Sequence, residues 1–521
     1  MKITIFKIII GLIVLSSISS CSDWLTIEPE GKVVLADYWK KESDVEAVVA
    51  TCYRGMLEDD FMKRIMIWGE LRSDNLIAGN GIKDPENQVL QSNIIPSNEL
   101  CKWGSFYSII NYCNTVLYYA PKVIDPDFTE SELHAKEAEV LTIRALCYFY
   151  LVRVFKDVPL VTEPSLSDTQ DYRSTQSTEN QVLDKIETDL LQAENWAMIA
   201  YSTEKYTKGR ITKNAVRALL ADVYLWRNKY PECINYCDKI INDKIANDKI
   251  TNDKITNDVR SVLIQDDENP FLQIFGQKNS TESIFEIQFS EANKVNQKVY
   301  DYYGTSLNFA GQFSASTFLG TGTTVYPITD QRRKDNYKIE AVQGLFHIFK
   351  YAGLYRTENN LGTSSYLYRS STPNWIVYRL TDVMLMKAES LVQLDRDEND
   401  LNNALYLVNA TYKRSNPTIL GDTLKLASYP SKQAMEELVL LERQRELMFE
   451  GKRWFDLLRM ARRDGNSSRL LNKVLGKFTD NQTTIKSKMS DMNALYMPIH
   501  QDELKANRNL KQNPFYETGS K

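Results

Sequence analysis

The chain has 521 residues and a formal charge of -5, with lysine plus arginine slightly outnumbered by aspartate plus glutamate. Such a mildly acidic chain lacks the electrostatic footprint of a nucleic-acid or anionic-lipid binder. Seven cysteines and three histidines are sparse material for a disulfide framework, a zinc site or histidine-based catalysis.

The first segment reads as an export signal. Lys2 and Lys7 give a basic start, Ile8 to Leu15 form an apolar run too short to span a bilayer, and small residues come next. The run closes on Ile18-Ser19-Ser20-Cys21. An apolar-small-small-Cys box at the cleavage position resembles a bacterial lipobox, whose thiol is acylated and becomes the new first residue. The expectation is a leader at 1–20 and lipid attachment at Cys21, a multi-chain anchor that holds where one acyl chain binds only marginally. Removing the leader takes away two lysines and no acid. The mature length predicts one elongated domain or two intimately packed ones.

Helical periodicity dominates the mature chain. Helices are predicted over 36–58 and 103–120, and over Ala138 to Phe155, where Pro159 soon turns the chain outward. Residues 212–228 carry Ala215, Ala218 and Ala221, small enough for close helix approach, and a turn at Lys229-Tyr230-Pro231 leads into a second helix at 232–241. Arg379 to Leu394 and 401–413 repeat that plan around a polar turn. Both pairs read as tetratricopeptide-like hairpins. Residues 239–258 hold four tandem five-residue units, KIIND, KIAND, KITND and KITND. Five residues advance a helix about 140° past a full turn, so Ile240, Ile245, Ile250 and Ile255 cannot share one face. This reads as a surface expansion of a helix end or loop. Cys233 and Cys237 lie four apart on one helix face, without a histidine nearby, and read as buried free thiols.

The middle third is different. Ile284 to Phe289 and Leu345 to Tyr351 alternate as half-buried strands do, and Trp375 to Tyr378 forms a short strand-like lead into the next helix. Residues 300–330 are rich in Gly, Ser, Thr and aromatics and lack helical period. The fold class is therefore mostly α: a tetratricopeptide-like helical-hairpin scaffold carrying an irregular loop and short β-hairpin region over about 265–378.

Two charge patterns invite a chemical reading. Leu440 to Met460 places apolar residues seven apart, with acids and bases at helical spacing such as Glu442–Arg445, Glu450–Arg453, Lys452–Asp456 and Asp456–Arg459. Glu442, Glu446 and Glu450 stand four apart and suit acid–base work, but the surrounding arginines favour a neutralised structural helix. Gly451 inside that helix costs about 1 kcal/mol relative to Ala and suggests a close backbone contact. The turn from Asp395 to Asp400 starts like an EF-hand loop, but Asp400 stands where Gly belongs and Tyr406 where Glu belongs. No phosphate loop, nucleophile elbow, zinc-binding helix or dinucleotide fingerprint occurs, so no metal or cofactor is expected.

Aromatics are the remaining signal. Tyr300, Tyr302 and Tyr303 precede the loop region, and Phe309, Phe313, Phe318 and Tyr326 lie within it, near Asn308, Gln312, Asp330 and Arg332. Flat rings stack on the apolar faces of sugars while polar groups bond their rims. The alternative is that these rings pack the loops onto the helices.

Together the pieces resemble the SusD/RagB-like outer-membrane lipoproteins. The resemblance rests on Cys21 to Leu25 with Pro29; on Trp103, Tyr107, Ile110 and Asn114; and on Glu137 to Glu139 with Arg144-Ala145 and Asp157 to Val161. It continues through Glu282 to Glu286, Arg379 to Val383 with Ala388-Glu389, the Glu442 to Arg453 helix, Pro498-Ile499, and Asn507 to Pro514, after which Phe515 replaces the usual Gly. It spans the mature chain and implies a single domain over 21–521. It also implies a surface-exposed, non-catalytic lipoprotein that captures oligosaccharides, or in some relatives peptides, for a SusC-like TonB-dependent barrel. A lipid-anchored glycoside hydrolase is a more distant alternative. Ligand contacts in the family come from loops that here correspond to about 74–100 and 300–332. From loop position and chemistry the candidate binding residues are Asp74, Asn75, Tyr300, Tyr302, Tyr303, Phe313 and Tyr326.

Overall fold

Polar side chains cap five of the long helices. Thr129 accepts from the Glu132 amide while the Glu132 carboxylate accepts from the Thr129 amide, and Thr178 and Gln181 form the same reciprocal box. Thr212, Asp397 and Ser431 cap three more helices through their side-chain oxygens. The computed structural model describes residues 38–517 except 167–169, 253–257, 266–268, 305–309, 318, 320–324, 328, 339–340, 352–353, 359–363, 369–371 and 418–423. The leader, Cys21, Asn308, Phe309, Phe318 and Ile255 lie outside the described residues.

In chain order the long helices are α1 (Glu42–Leu57), α2 (Asp59–Glu70), α3 (Gly104–Tyr119), α4 (Glu130–Phe155), α5 (Glu179–Trp196), α6 (Lys213–Trp226), α7 (Tyr230–Asn252), α8 (Leu380–Leu394), α9 (Glu398–Ser415), α10 (Lys432–Leu447) and α11 (Arg453–Asp464). The strands are β1 (Leu76–Ala78), β2 (Val158–Pro159), β3 (Gln176–Ser177), β4 (Ser283–Ile287), β5 (Phe313–Ala315), β6 (Leu354–Glu358), β7 (Ser364–Tyr368) and β8 (Trp375–Arg379). Helices pack as successive hairpins, α4 on α5, α6 on α7 and α8 on α9, with α5 also against α6 and α7 against α8. This stacking gives the mostly helical, tetratricopeptide-like fold. A continuous buried apolar cluster runs from Trp39 to Leu510. No described helix is long and apolar enough to cross a membrane.

The tandem pentads depart from their surface reading. α7 runs through the first two units and into the third, ending at Asn252, and Ile240 and Ile245 of the first two are buried. A helix wedged between α6 and α8 has cover on two sides, so side chains about 140° apart can both leave water.

The strand expectations divide. β4 pairs antiparallel with β8, and its five residues are wholly rather than half buried. Leu345 to Tyr351 forms no strand, only single bridges from Leu345, Phe346 and Ile348 to three different partners. Positive φ at Gln343, Gly344 and Tyr351 interrupts the extended path.

The helix expected across Leu440 to Met460 is two helices. It breaks at Met448–Lys452, where Phe449 and Gly451 take φ of 66° and 71°. A Cβ on Gly69 would lie 1.7 Å from the Gly451 carbonyl oxygen, so α2 and this turn touch backbone to backbone. Glu70 ties the contact by accepting from the amides of Phe449, Gly451 and Lys452 at 3.1–3.3 Å. All six described cysteines are free and buried.

Candidate functional site

The two loop stretches singled out as ligand-facing are far apart in sequence, and one strand pair joins them. β1 runs antiparallel to β5 with Leu76 opposite Ala315, Ile77 opposite Ser314 and Ala78 opposite Phe313. The pairing extends outward as the Gly79 and Asn80 amides donate to the carbonyls of Gln312 and Gly311, both at 2.8 Å. Glycine permits this approach: a Cβ on Gly79 would sit 2.3 Å from the Gly311 oxygen, and one on Gly311 2.4 Å from the Tyr302 oxygen.

The inner side of the seam is core. Tyr302 stacks on Phe313 with ring centres 4.6 Å apart, and its hydroxyl donates to Glu86 Oε1 at 3.0 Å. Burial, with the Glu86 carboxylate beside it, pushes that phenol well above its ordinary value. Tyr303 donates to the Phe449 carbonyl at 2.9 Å. Tyr326 donates to the Arg445 carbonyl at 2.9 Å and accepts from Asn336 at 2.7 Å. Asp74 takes two bonds from Arg453 at 2.8 Å and one from Gln444, while Asn75 donates to Glu70 at 2.7 Å.

These placements revise the set of candidates. Asp74, Asn75, Tyr302, Tyr303, Phe313 and Tyr326 are each at most 5% exposed and offer no open face to a ligand in this structure. Their rings and polar groups fasten the loops to the helices, because a buried hydroxyl or carboxylate needs a partner. Tyr300 alone among the candidates is half-buried rather than sealed.

The outer side of the seam carries different residues. Asn80, Gly81, Lys83, Asp84 and Asn87 are exposed, with Asp301 and Gln312 partly so. Asp301 accepts from Gln297 at 2.9 Å and Lys298 at 2.7 Å. The side chains of Asn80 and Asn87 make no hydrogen bond to the described residues, and Gln312 Oε1 is buried without a partner among them. Amides of this kind bond sugar hydroxyls as donor and acceptor at once. The turn-forming Ala78-Gly79-Asn80-Gly81 was the available signal for this edge.

The carboxylates at helical spacing are closed rather than catalytic. Glu446 accepts from Arg379 at 2.7 Å, Arg414 at 2.5 Å and Arg332 at 2.9 Å. Burial would raise its carboxyl, but the guanidiniums of Arg414, Arg379 and Arg332 hold it well below the usual range. Glu450 pairs with Lys350 and Arg379, and Glu442 with Arg332 and Thr411. Of the local pairs read from spacing, Glu442–Arg445 and Asp456–Arg459 form. Arg453 instead serves Asp74, and Lys452 serves Asp382. In the acidic turn, Asp397 caps α9 and Arg396 bonds Asp400. No cluster of metal-binding side chains occurs among the described residues.

Two family profiles match in sequence order: one described as "Starch-binding associating with outer membrane" over residues 23–225, and one described as "SusD family" over residues 321–516. The chain belongs to the SusD/RagB family. Among curated relatives, SusD-like protein P38 of Formosa agariphila is 26% identical over 86% of this chain and 90% of its own length. SusD-like protein P2 of the same organism is 24% identical over 96% and 98%. Among solved structures, a SusD superfamily protein from Bacteroides thetaiotaomicron superposes with a TM-score of 0.70 at 21% identity, covering 92% of this chain and all of the other. A protein described as a putative sugar binding protein from Bacteroides vulgatus gives 0.67 at 23% identity, covering 92% and 99%. These likenesses show the SusD fold for the helical body.

Proposed function

We propose that this chain is a non-catalytic glycan-binding lipoprotein that presents an oligosaccharide to a SusC-like TonB-dependent barrel. The observation that carries the reading is the β1–β5 seam, which unites two separate loops beside the exposed amides of Asn80 and Asn87 and the partly exposed Gln312, with Tyr300 on the short helix Gln297–Tyr303 that packs on β5. Family membership supports the ligand class, and the buried, fully paired carboxylates favour binding over hydrolysis. The acylated thiol of Cys21 would tether the body to the outer membrane at the cell surface.

Calorimetry with an oligosaccharide panel tests this. The expected result is binding without product release, weakened at least about tenfold when Asn80, Asn87 and Gln312 are all changed to Ala. Steady release of shorter sugars would overturn it. For the anchor, Cys21→Ser is expected to give a released protein that still binds but no longer supports uptake; unchanged uptake would count against the tether.

A further inference from the structure

A hollow in the middle region shares no lining residue with the seam. It has a volume of about 250 Å³. One wall is the π-helical turn Leu272–Gly276, which brings Ile274 and Phe275 to the hollow beside Phe271. π-Helical turns are rare and concentrate at functional positions. Gln331 and Arg332, with Arg414 and Ser415 at the end of α9, supply polar lining. The hollow thus combines aromatic rings with polar groups, and Lys350 and Arg379 lie 4.7 and 5.7 Å from the Phe275 ring centre. It is smaller than the roughly 300–1,000 Å³ of drug-sized sites, a size that suits one sugar ring and not a chain.

The polar lining has unused capacity. The Gln331 backbone amide donates to the Ser415 carbonyl at 2.9 Å, but the Gln331 side-chain amide and the Ser415 hydroxyl make no hydrogen bond to the described residues, and Arg414 Nε is buried without a partner among them. Its basic groups, in contrast, are each paired with carboxylates. Arg332 bonds Asp330, Glu442 and Glu446; Arg414 bonds Glu282 and Glu446; Lys350 and Arg379 both bond Glu450. An anion entering here would have to displace Glu446 from three guanidiniums. A neutral polyol would not.

We propose that this hollow binds a single neutral pyranose unit, with Phe271 against its C–H face and Gln331 and Ser415 on its hydroxyls. The proposal rests on the glycan-binding reading above and adds a second, separate subsite with a stated charge preference. The occupant is either a free monosaccharide or the end of a bound chain, and methyl glycosides and oligosaccharides distinguish the two.

The test is saturation-transfer NMR on the whole protein with methyl glucoside, galactoside, mannoside and xyloside, and with methyl glucuronide as the anionic control. At least one neutral glycoside is expected to bind and the glucuronide to bind more weakly. Phe271→Ala should weaken the neutral ligand about fivefold through loss of an aromatic face. Gln331→Ala, at an exposed position, should weaken it without disturbing the fold, and the seam triple variant should leave it unchanged. Tighter binding of the glucuronide, binding indifferent to both hollow variants, or no neutral glycoside bound by the parent protein would each overturn the proposal. Calorimetry on longer oligosaccharides then reads the seam separately: if only the seam variant weakens them while a methyl glycoside still depends on the hollow, the occupant is a free monosaccharide, and if no methyl glycoside depends on the hollow either, the hollow fails while the glycan-binding reading stands.

Discussion

The β1–β5 seam and the α10–α11 turn each join residues far apart in sequence, yet they leave different surfaces behind. At the turn, Arg332, Arg379 and Arg414 converge on Glu446, and Glu70 closes on three backbone amides. Little polar capacity remains. At the seam the main chain makes the junction, and the side chains of Asn80 and Asn87 stay outside it. A carboxylate-rich helix therefore acts as a fastener, and a short Gly-Asn-Gly edge carries the groups free to meet a ligand.

The sharpest way to break this contrast is to remove a cation from the turn. Arg379→Ala leaves Glu446 and Glu450 buried with fewer partners, and removing one member of such a network costs about 3–5 kcal/mol. Urea unfolding is expected to show that loss. A variant of ordinary stability with altered ligand binding would mean that the network serves the ligand and not the fold.

The same region should also report on pH. Burial raises the Glu70 carboxyl to about 7, against an ordinary value of 4.5, so between those values the folded state holds a proton that the unfolded chain has lost. Stability must then fall as pH rises across that window. Burial lowers Lys477 from 10.5 to about 7, so the unfolded chain holds the extra proton above 7 and stability recovers toward higher pH. The amplitude from Glu70 is on the order of 2–3 kcal/mol. Unfolding measured from pH 4.5 to 7 should show the decline in the parent protein and a flatter profile in Glu70→Gln. An identical decline in both would remove Glu70 as its source.

Tyr302 sits on the inner side of the seam and separates a fastening role from a binding role. Tyr302→Phe keeps the stack on Phe313 and deletes the bond to Glu86, at a cost of about 1–2 kcal/mol in stability. Glycan affinity should be unchanged. Affinity lost at full stability would return Tyr302 to the ligand-facing group.

The scaffold was legible in the sequence because helical period, capping residues and small Ala positions are local signals. Ala215, Ala218 and Ala221 are all buried on α6. Gly451 was read as a close backbone contact, and that contact exists, although in a turn and not within a helix. The break itself was not legible: the seven-residue apolar spacing runs through it, and the groups that hold the turn, Glu70, Tyr303, Lys350 and Arg379, lie far upstream in the chain. The burial of the candidate rings was illegible for a related reason. An aromatic in a loop reads the same whether it faces water or a helix, and Tyr302 and Tyr326 are fixed by Glu86 and the Arg445 carbonyl, partners that no local pattern reveals. The pentads erred in the other direction, since a period matching no single face still fits a helix covered on two sides.

The smallest expected change in stability belongs to the outer edge of the seam, and there it is most informative. Asn80→Ala and Asn87→Ala remove exposed side chains that bond nothing described, so each should move unfolding by no more than about 0.5 kcal/mol. Gly79→Ala next to them should behave oppositely, because its Cβ would meet the Gly311 oxygen at 2.3 Å and force the two strands apart. If the edge is the ligand surface, the asparagine variants lose affinity at parental stability, while the glycine variant loses both together. Asparagine variants that bind glycan as the parent does would leave the seam as a structural joint alone, with the ligand surface elsewhere on the middle region.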